Sequence, residues 1–302
     1  MNNIKKIGLT ALAGTLVATS AYAGAMSVSG SAKVSYKSNG SESTTGNPMS
    51  NSKGLTFSGS GELDNGMTVS TGYTMTNAAF SSTYVSLDMG DSGTLHFANG
   101  ASKGGIDKYK DVMPTAGEQV YDDVDGTDNG VVSVGNDNAL SYETSVMGVT
   151  ASGSYQRNGV GTDTSIVLIA DDMLENTQFG VGQGTDTLTN TTEADVSTMW
   201  VKYTMGGATL GVQKSRIAKA SADQDTMHMA LSFAVNENLS ISYGVHTVDF
   251  EATTSDEESS GVSASYTMGG VTIGAVMNKT DSISGASGTD KSFSEISVAF
   301  AF

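Results

Sequence analysis

The sequence predicts an all-β chain, an antiparallel β-barrel of sixteen strands that crosses a membrane. Three observations carry this. Apolar residues alternate with small polar ones at a period of two along most of the chain, and the apolar face is almost free of charge. Tight turns alternate with longer polar connectors, which puts the two kinds on opposite ends of one sheet. The stretch "SEISVAFAF" (294–302) keeps Ile296, Val298, Phe300 and Phe302 on one face and Ser297, Ala299 and Ala301 on the other up to the final aromatic ring.

Residues 1–23 read as an export leader and are set aside from the fold. Lys5 and Lys6 precede an apolar stretch from Ile7 to Ala18, and Ala21-Tyr22-Ala23 forms a small-x-small cleavage site. That stretch is too short for a spanning helix, which needs roughly 20 residues. Without the leader, 279 of the 302 residues remain, and the formal charge goes from −17 to −19 because two lysines leave with it. Such acidity disfavours nucleic acid as a partner. There is no cysteine, so disulfides do not hold the exported chain together. Two prolines against 37 glycines favour strands and tight turns.

Strand windows follow in order. The first, 26–37, begins "MSVSGSAKVSY", with Met26, Val28, Ala32, Val34 and Tyr36 on one face and serines with Lys33 on the other. A connector at 38–52 leads to 53–63, and "LDNG" (63–66) turns the chain into 67–77. Windows 82–88 and 93–100 flank the turn "DMGDSG" (88–93). After the longest connector, 101–137, come 138–146 and 149–157 around "VMG" (146–148). The windows 163–170 and 176–183 form the eighth and ninth strands, although "IVLIADDMLENTQF" could equally hold a short helix. A connector at 184–195 precedes the hairpin 196–205/208–217, whose "YTMGG" turn recurs in 258–268/271–281. Between these hairpins lie 224–234 and 239–250, joined by "VNEN" (235–238), and the final strand is 291–302. The connectors at 251–258 and 282–290 are polar, and "DEE" (256–258) reads as a solvated tip or a bridge to lipopolysaccharide through calcium.

Closing the sheet removes its edges. The non-apolar face is Ser, Thr, Gly and Ala with an occasional charge, which suits a watery lumen better than a soluble exterior, while the charge-free apolar face suits lipid. Parity places Lys33, His96, Glu143, Gln156, Lys202, His228, His246 and Glu295 on the lumen side. Arg157 and Arg216 stand near the long-connector ends of their strands. Trp200 and tyrosines 36, 73, 142, 155, 203, 243 and 266 fit interfacial girdles.

With the leader, the first strand, the "YTMGG" hairpins and the terminal "SVAFAF", the chain resembles a Gram-negative outer-membrane general diffusion porin of the sixteen-stranded, alphaproteobacterial type. The resemblance implies a water-filled channel for passive diffusion of ions and small hydrophilic solutes, assembled as a homotrimer among outer-membrane lipid and lipopolysaccharide. It also implies that Phe300 and Phe302 serve the barrel-assembly machinery, and that the loop after the fifth strand folds into the lumen and narrows it. The connector 101–137 stands at that place. It carries Asp107, Asp111, Glu118, Asp122, Asp123, Asp125, Asp128 and Asp137 against Lys103, Lys108 and Lys110. Part of it is expected to form an acidic constriction, against the alternative of a solvated surface loop. The wall candidates facing it are Lys33, His96, Glu143, Arg157, Lys202, His228, His246 and Glu295, a sparse set beside the basic cluster the resemblance implies. The acidic loops therefore argue for a mild cation preference.

Other chemistry finds little support. "DDVDGTDNG" (122–130) gathers hard oxygen ligands, so Asp123, Asp125 and Asp128 are a candidate calcium site, yet no Glu closes the twelfth position. No cofactor is required. The three histidines stand on different strands, and no G-x-S-x-G elbow accompanies them, which argues against a hydrolase. A substrate-selective channel and an acidic surface-layer or adhesin-like structural protein remain the alternatives at this point.

Overall fold

The computed structural model describes residues 26–38, 46–128, 137–157, 159–189 and 192–302. The proposed leader (1–23) lies outside them. Sixteen strands close into one barrel in sequence order, each antiparallel to its neighbours. They are β1 (Ser27–Ser38), β2 (Met49–Glu62), β3 (Thr68–Thr76), β4 (Ala79–Asp88), β5 (Thr94–Asn99), β6 (Ala139–Val146), β7 (Val149–Arg157) and β8 (Thr162–Leu174). The circuit continues with β9 (Thr177–Thr189), β10 (Thr192–Met205), β11 (Ala208–Lys219), β12 (Gln224–Ala234), β13 (Leu239–Phe250), β14 (Glu257–Met268), β15 (Val271–Asp281) and β16 (Lys291–Ala301).

Closure rests on β1 and β16, which pair from Ser31 opposite Ala301 to Ser38 opposite Ser294. One residue further, Gly30 N–H donates to the Phe302 carbonyl (2.6 Å) and Phe302 N–H to the Gly30 carbonyl (3.0 Å). The Phe302 ring lies where a side chain on Gly30 would stand, so glycine there admits the terminal aromatic. The ladder thus continues to the end of the chain and leaves no strand edge open.

Alternation sorts the side chains as the period-two pattern predicts. Val85, Phe97, Ile166, Leu168, Leu210, Ile241, Val262 and Ile273 are among the large apolar residues exposed on one face. The other face carries Ser35, Ser86, Ser141, Ser152, Thr198, Ser215, Ser259 and Thr280, all buried. Two-residue turns close several hairpins. Gly206 and Gly269 take φ of 59° and 60°, a conformation that the mirror-image hairpin turn demands at its first position. Asn77 does the same at 57°, whereas Asn176 takes 59° at the second position of its turn.

Three expectations are corrected. Residues 184–189 and 192–195 lie in strands rather than in a connector, because β9 and β10 pair from Tyr203 opposite Thr177 out to Thr192 opposite Thr189. Their polarity imitates a loop, but β-branched threonines at 185 and 187 favour strand. Trp200 is not a girdle residue: it is 4% exposed and shares the face of Thr198 and Lys202. Glu257 is not a solvated tip, being 0% exposed and bonded to two other segments. The tyrosines at 36, 73, 142, 155, 203, 243 and 266 are all exposed on the apolar face.

Candidate functional site

After β5 the chain leaves the barrel wall and runs across the small-polar face of successive strands. Its first anchor is a single helical turn, α1 (Gly105–Lys108), seated directly on β7–β9. A methyl built on Gly104 would come 2.7 Å from the Ser141 Cβ, so only glycine allows this approach. Gly105 N–H donates to Ser152 Oγ (3.0 Å) and Ile106 N–H to Ser165 Oγ (2.9 Å). Asp107 is buried and accepts the Ser102 hydroxyl.

Lys108 and Tyr109 both reach Glu143 on β6, with Nζ 2.7 Å and the phenol oxygen 2.9 Å from Oε2. Burial, and then the Glu143 carboxylate, hold the Tyr109 hydroxyl well above the usual phenol range. The Tyr109 ring stacks on Trp200 at 5.9 Å, and Trp200 donates its indole N–H to Gln178 (3.1 Å). Gln213 on β11 then donates to the Lys110 carbonyl (2.9 Å). Nearer β5, Lys103 stands 3.6 Å from the Tyr84 ring centroid, and burial followed by the Lys108 charge lowers its ammonium below the ordinary lysine value.

The second half of the segment covers β12–β16 and β1. Tyr121 donates to Asp111 Oδ1 (2.6 Å) and lays its ring on His246 (4.8 Å) and His228 (5.6 Å). These two imidazoles are register partners on β12 and β13, 5.3 Å apart and each 1% exposed. Neither ring nitrogen of either residue has a hydrogen-bond partner among the described residues. Burial, and then Asp111, push the Tyr121 hydroxyl far up. Ala116 N–H donates to Ser242 Oγ (2.9 Å), and Asn278 Nδ2 to the carbonyls of Gln119 (2.9 Å) and Asp122 (3.2 Å). The far end is clasped by Glu257, which accepts Thr127 N–H at 2.6 Å and Thr127 Oγ1 at 3.0 Å.

Most of the acidic residues meet a lysine. Lys33 lies 2.5 Å from Glu295 and 3.5 Å from Glu118. Lys37 lies 3.2 Å from Glu295 and 3.7 Å from Asp123. Lys291 pairs with Asp125 (2.9 Å), and Lys110 with Asp128 (4.0 Å). Burial, and then the neighbouring Asp123, raise the Glu118 carboxyl above its usual value. Burial likewise raises Asp122, against the lowering effect of the Gln119 N–H it accepts at 2.9 Å. Asp123, Asp125 and Asp128 thus turn to three different lysines. Among the described residues no three carboxylates or imidazoles converge to hold a metal ion.

The wall candidates fall into separate groups. Lys33 and Glu295 meet Glu118, Glu143 meets Lys108, and His228 with His246 meets Tyr121. His96 instead hydrogen-bonds Ser86 on the neighbouring strand (2.6 Å). Lys202 lies opposite Gln178 in the register. Arg157, the last residue of β7, has the parity of exposed Tyr155 and belongs to the apolar face. Arg216 binds Asp223 and Asp225 (3.3 Å) at the exposed end of β11. Sequence reasoning missed Lys37, Lys291, Gln213, Asn278 and Glu257. Parity could have found the first four, which are large polar residues on the strand faces opposite the exposed apolar residues.

A family model described as Gram-negative porin matches residues 8–302. No curated protein matches the chain. Solved structures with the same fold include a porin refined at 1.8 Å, at 15% identity and a TM-score of 0.72, covering 92% of this chain and all of that one. An anion-selective porin from Comamonas acidovorans aligns at 14% identity and 0.64, covering 92% of this chain and 99% of its own. OmpT, an outer membrane protein of Vibrio cholerae, aligns at 12% identity and 0.65, covering 92% and 98%.

Proposed function

Because the chain belongs to the Gram-negative porin family and so resides in the bacterial outer membrane, we propose that it forms a water-filled passage for ions and small hydrophilic solutes, with a mild preference for cations. In this reading the apolar face meets lipid, the small-polar face lines the lumen, and residues 101–128 fold inside as the constriction. The observation that carries it is the course of that segment, bonded in turn to β6, β7, β8, β11, β13, β15 and β14 from the face opposite the exposed apolar residues. The passage then lies between the segment and the face of β2–β4 that carries Ser52, Thr56, Ser58, Ser70, Thr74 and Ser82. Hydroxyls there hydrate a solute without binding it tightly, and lumen width sets the size limit.

Strand length supports assembly with further copies of the chain, as a homotrimer. β5 has six residues and β6 eight, whereas β8–β10 have 13 to 14. A tilted strand needs roughly 9–11 residues to cross the hydrocarbon layer. The short wall nevertheless presents Val85, Phe97 and Leu140, which a neighbouring copy would cover. Export by residues 1–23 and recognition of Phe300 and Phe302 by the barrel-assembly machinery belong to the same reading.

Purified protein added to a planar bilayer under a salt gradient is expected to give stepwise conductance in groups of three, with a reversal potential on the cation side. Folded protein that yields no steps would overturn the channel reading. Saturable block by one solute class would turn it towards a selective channel.

A further inference from the structure

Three apolar residues of the segment recur every seven positions: Ile106, Met113 and Val120. They are 0%, 3% and 6% exposed. Each rests over a glycine of the wall, and the three glycines stand on every second strand, Gly182 on β9, Gly211 on β11 and Gly244 on β13. A methyl built on Gly182 would meet Ile106 at 3.4 Å and Val167 at 2.9 Å. One on Gly211 would come 2.8 Å from the Met113 sulfur, and one on Gly244 would come 2.9 Å from Val120. None of these glycines takes a positive φ. What they contribute is therefore the missing side chain, since glycine inside a strand marks a close approach rather than a helpful backbone.

The geometry points to a knob-and-socket track in which Gly182, Gly211 and Gly244 are positioning residues that fix the segment against the wall and thereby set the width of the passage. Seven residues advance the segment by two strands, so each knob reaches the next socket only in one register. Pro114 shares the middle socket, its Cδ 2.7 Å from a methyl built on Gly211, and a slip of one residue would put Asp107 over Gly182 and Tyr121 over Gly244. Polar contacts between the sockets hold the same register, with Ile106 N–H on Ser165, Lys110 carbonyl on Gln213 and Ala116 N–H on Ser242. Filling a socket leaves the knob one way to go, off the wall and into the lumen.

The inference rests on the constriction reading, and the test separates the two. Full-length Gly244→Ala, Val120→Ala and the double variant are compared with wild type by single-channel recording and by trypsin cleavage after Lys103, Lys108 and Lys110. Folding is verified by circular dichroism. Gly244→Ala is expected to lower conductance, raise current noise and speed cleavage. The double variant is expected to return towards wild type, because the shaved knob makes room for the new methyl. If Gly244→Ala does not fold, Val120→Leu overfills the same socket from the segment side. Deleting about 15 residues of the segment tests the constriction by itself: raised conductance there, with glycine variants indistinguishable from wild type, would overturn the track and leave the constriction standing. If the deletion leaves conductance unchanged, the constriction fails and the track is judged on cleavage. Effects that add in the double variant, rather than cancel, would overturn it.

Discussion

Replacing Glu257 should free the far end of the segment 101–128 without weakening the barrel. Its carboxylate is fully buried at the start of β14 and accepts three hydrogen bonds, from Thr127 N–H (2.6 Å), Thr127 Oγ1 (3.0 Å) and Ser284 N–H (2.7 Å). It therefore ties the segment to the connector that follows β15. A bond to a charged acceptor contributes about 1.5–3 kcal/mol net. Three bonds on one group are not additive, and water reaches a loop end once it opens, so about 3–5 kcal/mol is a fair total for Glu257→Ala. The contacts left behind are weak. Lys37–Asp123 and Lys291–Asp125 involve carboxylates 41% and 70% exposed, and surface pairs of that kind contribute about 0–1 kcal/mol each.

At about 1.4 kcal/mol per tenfold, the loss raises the open fraction of residues 123–128 by at least about 100-fold. Amide hydrogen exchange reads this directly. The Thr127 and Ser284 amides should lose protection by that factor in Glu257→Ala and by less in Glu257→Gln, which keeps one accepting oxygen. Protection in the β13–β15 ladders should not change. Exchange at Thr127 within about threefold of wild type would show that the carboxylate is not the tether, since threefold corresponds to well under 1 kcal/mol.

Lys33→Met strips the cation shared by Glu295 and Glu118, so the reversal potential should move further to the cation side, and adding Glu295→Gln should move it back. No shift in the single variant would refute a field set by these groups. Burial raises Glu118 and Asp122 above their ordinary values of 4.5 and 3.8, so the ionised form is the one that docking disfavours. Docking of 118–122 should then tighten as pH falls from the raised values towards the ordinary ones, and weaken on the way back up. Over the same window cation preference should decline, whereas Glu118→Gln/Asp122→Asn should show no change until lower pH. His246→Leu removes two buried ring nitrogens that lack partners while keeping a surface for Tyr121, so the melting temperature should hold or rise. A fall of more than a few degrees would mean that the imidazole is bonded.

The strands were legible because alternation is a local signal. All sixteen predicted windows overlap an observed strand, and even 163–183 resolves as β8 and β9 around Glu175-Asn176. That pair looked ambiguous because Asp171 and Asp172 interrupt the apolar run, and the register does shift between Asp171 and Leu174. The connector 101–137 and its charges were equally visible. Its course was not, because the contacts that define it join distant residues: Gln213 and Lys110 are 103 apart, Ala116 and Ser242 126, and Asn278 and Gln119 159. Parity can say that Trp200 shares the face of Lys202, but only the fold brings Tyr109 to cover it. The acidic residues were correctly counted as a group, yet their partners, Lys37 and Lys291, come from the first and last strands.

How those charges are partnered decides where a cation preference could arise. Glu118, Asp123, Asp125 and Asp128 each face a lysine, so their fields fall off over a short distance. Asp111 and Asp122 instead take hydrogen bonds from a phenol and a peptide N–H, which orient a carboxylate without cancelling its charge. Both lie where the segment crosses β12–β15, held there by Tyr121 on the histidine pair and by Asn278. On the proposed reading these four paired carboxylates bear little on permeation, while Asp111 and Asp122, close together in one stretch, carry a field that opposite walls of Ser and Thr do nothing to balance. The same burial that places Asp122 there raises its proton affinity. On the proposed reading, a cation preference built on it is acid-sensitive, and it follows the position of the segment rather than the total acidity of the chain.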